Sequence, residues 1–130
     1  MILDTTFLID LMMGDTAAHT KLNGFIKEGE PQLVTVLSIF ELFSGVARSD
    51  RPESEKNKIA RILVGQVIVD LDRRSAAEAG EIDGSLIKKG ERIDVIDTLI
   101  ASIALQRGEV VLTRNHKDFS KIRGLDIEGY

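Results

Sequence analysis

Short apolar runs of strand length alternate along this chain with segments whose apolar residues recur at helical spacing, and that alternation restricts the fold more than any other feature. Met1–Leu3, Gln32–Val36, Val67–Leu71 and Val110–Thr113 read as strands, with Leu125–Ile127 as a short fifth. The first helical stretch is capped by Thr5 or Thr6 and runs through Met13. Thr16–Lys27 follows, with Ala18, Leu22, Phe25 and Ile26 on one face. Ser38–Arg48 places Ile39, Leu42, Phe43 and Val46 at core spacing. Pro52 suits the first turn of a helix to about Val64, with Ile59, Ile62 and Leu63 inward. Ser75 caps a helix through Lys89, and Asp94 or Asp97 caps one through Arg107. Strands separated by helices pair in parallel through right-handed crossovers. The expected fold is α/β: a three-layer α/β/α sandwich around a central, mainly parallel sheet of four to five strands. At 130 residues, without repeat or linker, the chain is expected to be one domain, 1–130.

Composition narrows the function classes. Apolar residues make up 43%, enough for a packed core. The net charge of −4 supplies no global field for nucleic acid, so any such contact needs a local basic patch. Zero cysteines exclude disulfides and thiolate metal sites, and two histidines (His19, His116) argue against a histidine-rich zinc site. Phe7 to Met13 is interrupted by Asp10 and is far shorter than the roughly 20 apolar residues a bilayer span requires. A cytoplasmic protein with no membrane partner is the expectation.

Four acidic residues stand where apolar runs meet helix starts or turns: Asp4, Glu41, Asp97 and Asp118. In parallel sheets ligands gather at the carboxyl ends of the strands. Asp4 lies at that end of the first strand, and Glu41 and Asp118 follow the second and fourth. Asp97 joins them if its helix start faces the same edge. Carboxylates crowded at one edge repel one another and raise at least one pKa, a penalty a divalent cation removes. Oxygen-only ligands select a hard ion, Mg²⁺ or Mn²⁺, which suits phosphoryl chemistry.

Met1-Ile2-Leu3-Asp4-Thr5-Thr6-Phe7-Leu8-Ile9, Glu41-Leu42-Phe43-Ser44-Gly45, Asp97-Thr98-Leu99-Ile100-Ala101 and Thr113-Arg114-Asn115-His116-Lys117-Asp118-Phe119 together resemble the PIN-domain signature. Their order, their intervals and the total length resemble the VapC toxins of VapBC toxin–antitoxin pairs. The resemblance implies Mg²⁺- or Mn²⁺-dependent endonucleolytic hydrolysis of RNA, leaving a 5′-phosphate and a 3′-hydroxyl. It carries the acidic quartet onto Asp4, Glu41, Asp97 and Asp118, with Asp4, Asp97 and Asp118 as metal ligands. Thr113 and Asn115 match supporting polar positions, and Asp94 is a further supporting candidate. Arg114 and Lys117 border the site and are the candidate phosphate binders. An antitoxin resembling VapB and a homodimeric toxin unit are also implied.

Plainer readings compete at each position. Asp4 and Asp97 could be simple N-caps. Ser38-x-x-Glu41 is a capping-box pattern, and Asn115-x-x-Asp118 an ordinary turn. Asp72-Arg73-Arg74 reads as a solvated strand exit, and His116 as an exposed loop residue. Arg48, Arg51, Lys56, Lys58 and Arg61 form either a phosphate-binding patch or a helix face neutralised by Glu53 and Glu55. Two other classes are a phosphoryl-transfer domain, such as a receiver or dehalogenase-type phosphatase, and a non-catalytic Mg²⁺-binding interaction module. The phosphatase reading wants an acid two residues after Asp4, where Thr6 stands.

Overall fold

The strand-length runs become five short parallel strands, and the order in which they pair decides where their ends meet. A computed structural model describes residues 1–130. Along the chain these are β1 (Ile2–Leu3), α1 (Thr5–Met12), α2 (Thr16–Glu28), β2 (Leu33–Thr35), α3 (Val36–Ala47), α4 (Pro52–Ile62), β3 (Val67–Val69), α5 (Arg73–Lys88), α6 (Val95–Arg107), β4 (Val111–Leu112), α7 (His116–Phe119) and β5 (Ile127–Glu128). The sheet order is β3-β2-β1-β4-β5, and every pairing is parallel. β1 sits in the middle, with Ile2 opposite Leu33 on one side and Val111 on the other.

The period of two along each strand builds the three layers. Leu3, Val34 and Leu112 face one core, packed with Phe7, Leu8, Leu11, Phe25, Leu42 and Ile59 from α1 to α4. Ile2, Leu33 and Val111 face the other, packed with Leu86, Ile100, Ile103 and Phe119 from α5, α6 and α7. Fully buried side chains such as Phe7, Leu8, Ile100 and Ile103 contribute roughly 1.5–3 kcal/mol each relative to exposure. No helix is long and apolar enough to cross a membrane.

Several helix starts differ from the sequence reading. Asp4, rather than Thr5 or Thr6, caps α1, accepting the Thr5 amide at 2.8 Å. Thr35 caps α3 by accepting the Ser38 amide at 3.3 Å, so Ser38 lies inside the helix and the capping box with Glu41 does not form. Asp72 caps α5 through the Ser75 amide at 2.7 Å, so it is more than a solvated strand exit. Asp94 caps α6. In each case the cap sits at the residue where the preceding extended segment ends, and the later hydroxyl or acid falls into the first turn. Ile26 and Phe43 lie exposed, whereas helical spacing had placed them inward. The turn carrying Asp118 winds into the short α7.

Candidate active site

Parallel pairing about a central β1 brings the exits of β1, β2 and β4 to one edge of the sheet. Asp4 leaves β1, Thr35 leads β2 into α3, which carries Glu41, and Thr113 leaves β4. α6 begins at the same edge and supplies Asp97.

A continuous hydrogen-bonded relay joins the four acids. The Thr5 hydroxyl donates to Glu41 Oε1 at 2.6 Å and in turn accepts from the Ser38 hydroxyl at 2.8 Å. The Thr5 amide donates to Asp4 Oδ1, and the Thr113 hydroxyl donates to Asp4 Oδ2 at 2.8 Å. Thr113 Oγ1 accepts the Asn115 amide at 2.9 Å. The Asn115 side-chain amide donates to Asp97 Oδ2 at 3.3 Å and to Asp118 Oδ2 at 3.1 Å. Asp4, Glu41, Asp97, Asp118, Thr113 and Asn115 are therefore one constellation. Thr5 and Ser38 belong to it as well, although the sequence reading treated both only as caps. The signal for them was present: Thr5 follows Asp4 directly, and Ser38 lies one helical turn before Glu41.

The cluster is crowded with negative charge. Asp4 is 2% exposed, and burial raises its pKa; the Thr113 and Thr5 hydrogen bonds pull it back and the Glu41 charge adds to the rise. Asp97 is pushed up to about 7, first by burial and then by the charges of Asp4, Asp94, Glu41 and Asp118. Lys121 approaches Asp118 Oδ1 at 3.7 Å. No basic side chain pairs with Asp4, Glu41 or Asp97.

This donor set fits a hard divalent cation: all oxygen, mostly acidic and short of positive partners. No three of its carboxylates stand as a ready-made ligand cage, so the expected trio of Asp4, Asp97 and Asp118 is not preassembled. That arrangement suits Mg²⁺, which keeps several waters and takes only one or two carboxylates directly.

The remaining candidates lie around this centre. Asp94 is exposed and spends Oδ1 on the Ile96 amide at 2.8 Å, so it acts on the cluster through its charge. Lys117 is exposed and forms no ion pair. Arg114, grouped with it as a phosphate binder, is instead paired with Asp10 and Asp15, each at 3.1 Å. His116 is exposed. On α4, Lys56 and Lys58 pair with Glu53 and Glu55, as the solvated-face reading expects.

A family model described as the PIN domain matches residues 1–125. The chain is 30% identical over 97 residues to the tRNA(fMet)-specific endonuclease VapC of Salmonella typhimurium, covering 75% of this chain and 74% of that protein. It is 28% identical over 109 residues to ribonuclease VapC2 of Haemophilus influenzae, covering 84% and 83%. In structure it is similar to a chain of VapBC2 from Rickettsia felis bound to a promoter DNA fragment, with a TM-score of 0.91, 25% identity, and 99% and 97% of the two chains covered. DNA-bound VapBC from Salmonella typhimurium gives a TM-score of 0.88 at 26% identity, over 98% and 96%.

Proposed function

The chain belongs to the PIN-domain family, and from that premise we propose that it is an endoribonuclease, the toxin of a VapBC-type toxin–antitoxin pair, working at the acidic cluster on the edge of β1, β2 and β4. The observation that carries this reading is the relay from Glu41 through Thr5, Asp4, Thr113 and Asn115 to Asp97 and Asp118. It gathers acids 21 to 114 positions apart in the chain (Asp97 to Asp118, Asp4 to Asp118) around one pit whose only basic partner is Lys121 at Asp118. The receiver and phosphatase readings fall away with the family.

Asp4 and Asp97 would hold the cation directly, and Asp118 would reach it through a bound water. Mg²⁺ or Mn²⁺ held there would lower the pKa of a water and polarise a phosphate oxygen. The protein's own groups do the rest. Thr113 and the Thr5 amide fix both oxygens of Asp4, so that carboxylate is held without searching rotamers. Asn115 holds the nearer oxygens of Asp97 and Asp118 in a fixed relation. Glu41, steadied by Thr5, and Asp118 accept hydrogen bonds from the attacking water and aim it at the phosphorus. Lys117, free of internal partners, meets the phosphate backbone. As the water oxygen bonds to phosphorus the P–O3′ bond breaks; the water's proton passes by way of Glu41 to solvent, and the leaving 3′-oxygen takes one from solvent at the open cluster.

A VapB-like antitoxin is the partner that restrains this activity. Beside Glu41, a groove between α1, α3 and α4 is lined by Ile9, Met12, Met13, Leu42 and Val46, an apolar surface next to an acidic centre. A partner segment that lays apolar side chains there and directs an Arg into the cluster would satisfy both. A homodimer of the chain is the proposed toxin unit.

The test is cleavage of a defined RNA by the purified chain. Wild type is expected to cleave with Mg²⁺ or Mn²⁺ and to stop in chelator. Asp4→Asn, with an unchanged circular-dichroism spectrum, is expected to lose at least about a hundredfold in rate. Wild-type cleavage by pure Asp4→Asn would overturn the assignment.

A further inference from the structure

Arg114 stands between two members of the relay, Thr113 and Asn115, yet its guanidinium is occupied elsewhere. Nη1 donates to Asp10 Oδ2 and Asp15 Oδ2, each at 3.1 Å, and Nη2 donates to Asp15 Oδ1 at 3.2 Å. Nε approaches the Tyr130 carbonyl at 3.5 Å, and the guanidinium lies over the Tyr130 ring, 4.3 Å from its centroid. The Tyr130 hydroxyl donates to the same Asp10 oxygen at 2.5 Å. The Tyr130 ring meets Phe7 edge-on at 4.7 Å, and Phe7 is fully buried on α1. On the other side of Asn115, His116 is pressed against Gly129: a Cβ at 129 would lie 2.6 Å from His116 Nε2.

The loop after β4 is thus gripped on both flanks of Asn115. One grip reaches α1 and the cap of α2 through Asp10 and Asp15; the other reaches the segment after β5. α1 is the helix that Asp4 caps. The grip therefore sets the distance between the Asp4 end of the relay and the Asn115 end.

We infer that Arg114 is a positioning residue for the acidic cluster: by tying the 113–116 loop to Asp10, Asp15 and Tyr130 it holds the Thr113 hydroxyl on Asp4 and the Asn115 amide on Asp97 and Asp118. It does not contact the RNA. Two carboxylate partners and an aromatic face leave its five donors little to offer a phosphate, and its planar fork makes the bidentate bond to Asp15 that a lysine cannot copy. The effect on rate rests on the ribonuclease reading; the effect on the loop does not.

The experiment has two arms on Arg114→Ala, Arg114→Lys and Asp15→Asn, the last keeping a good helix cap while removing the charge. In the first arm, amide hydrogen exchange is followed on the metal-free protein. Exchange at Asn115 is expected to quicken about tenfold in Arg114→Ala, while the Leu33 amide in the sheet stays protected. In the second arm, RNA cleavage is measured with Mg²⁺. kcat is expected to fall about tenfold in Arg114→Ala with KM within about twofold, and Arg114→Lys and Asp15→Asn to fall between it and wild type. A raised KM with unchanged kcat and unchanged Asn115 exchange would overturn the proposal in favour of direct phosphate contact. Unchanged exchange and unchanged kinetics would overturn it outright. If Arg114→Ala does not fold, the same readings on Asp15→Asn decide. A wild type that cleaves no RNA refutes the ribonuclease reading, while the exchange arm still decides the clamp.

Discussion

Asp94 and Asp97 lie one helical turn apart at the start of α6 and have different work. Asp94 is exposed and caps the helix; Asp97 is half-buried among four other carboxylates and pushed up to about 7. Because its folded pKa stands above the unfolded value near 4, the folded state holds the Asp97 proton more tightly across that interval. The stability this lends is fully present below the unfolded pKa and is lost as pH rises toward 7. In chelator, the melting temperature is expected to fall as pH goes from about 5 to about 8, and Asp97→Asn should flatten that fall and melt higher at the upper end. Added Mg²⁺ should restore the wild type at high pH by binding the folded state alone. Parallel melting curves for wild type and Asp97→Asn across that range, in chelator, would contradict the charge-crowding account. At Lys117 the expectation is electrostatic: Lys117→Ala should raise KM for RNA a few-fold and lower the salt slope by about one. Cleavage at several ionic strengths measures both.

At the scale of elements, the helices are placed by the sheet more than by their own end signals. Thr35 ends β2 and opens α3 in one residue, fully buried, with its hydroxyl on the Ser38 amide. Thr35→Val keeps the shape and removes the acceptor; it is expected to cost about 1 kcal/mol in denaturant unfolding and to loosen the helix that carries Glu41. This junction also shows what the sequence could and could not reveal. Leu33 and Val34 are legible as strand because two consecutive apolar residues suit a parallel sheet covered on both faces. The start of α3 is not legible, because Thr35 and Ser38 are both good caps and only the parallel ladder to β1 and β3 decides between them. The same ambiguity separates Asp72 from Ser75. Once Thr35 takes the cap, Ser38 is free to reach Thr5, a contact 33 positions distant that no local pattern encodes. Asp4, Glu41, Asp97 and Asp118 were legible because acids at strand exits and helix starts are costly there without a cation. The pairing of Arg114 was not legible, because its partners Asp10, Asp15 and Tyr130 lie across the fold. Phe43 and Ile26 show the limit of helical spacing, which marks an apolar face and is silent on what covers it.

The whole molecule is a parallel sheet with its central strand as the pivot of the site. A strand order of β3-β2-β1-β4-β5 leaves Asp4, at the end of the central strand, flanked by the exits of β2 and β4. The chain carries a net charge of −4, so RNA is held by local contacts, and partner binding falls to apolar surface. Met13, just past the end of α1, and Phe40 and Phe43 on α3 are exposed. Co-expression with the product of the neighbouring reading frame is expected to yield a stable complex and suppress toxicity, and a harmless chain that captures no such product would remove the toxin reading while leaving the nuclease. Binding of a cation at the acidic cluster underlies every step of the cleavage, and calorimetric titration of Mn²⁺ into the metal-free chain tests it most directly. The prediction is one site in wild type, weakened at least about tenfold in Asp4→Asn and in Asp97→Asn and unchanged in Asp72→Asn, whose carboxylate caps α5 and takes no part in the relay. Binding of equal strength in all four proteins, or none in wild type, would contradict it.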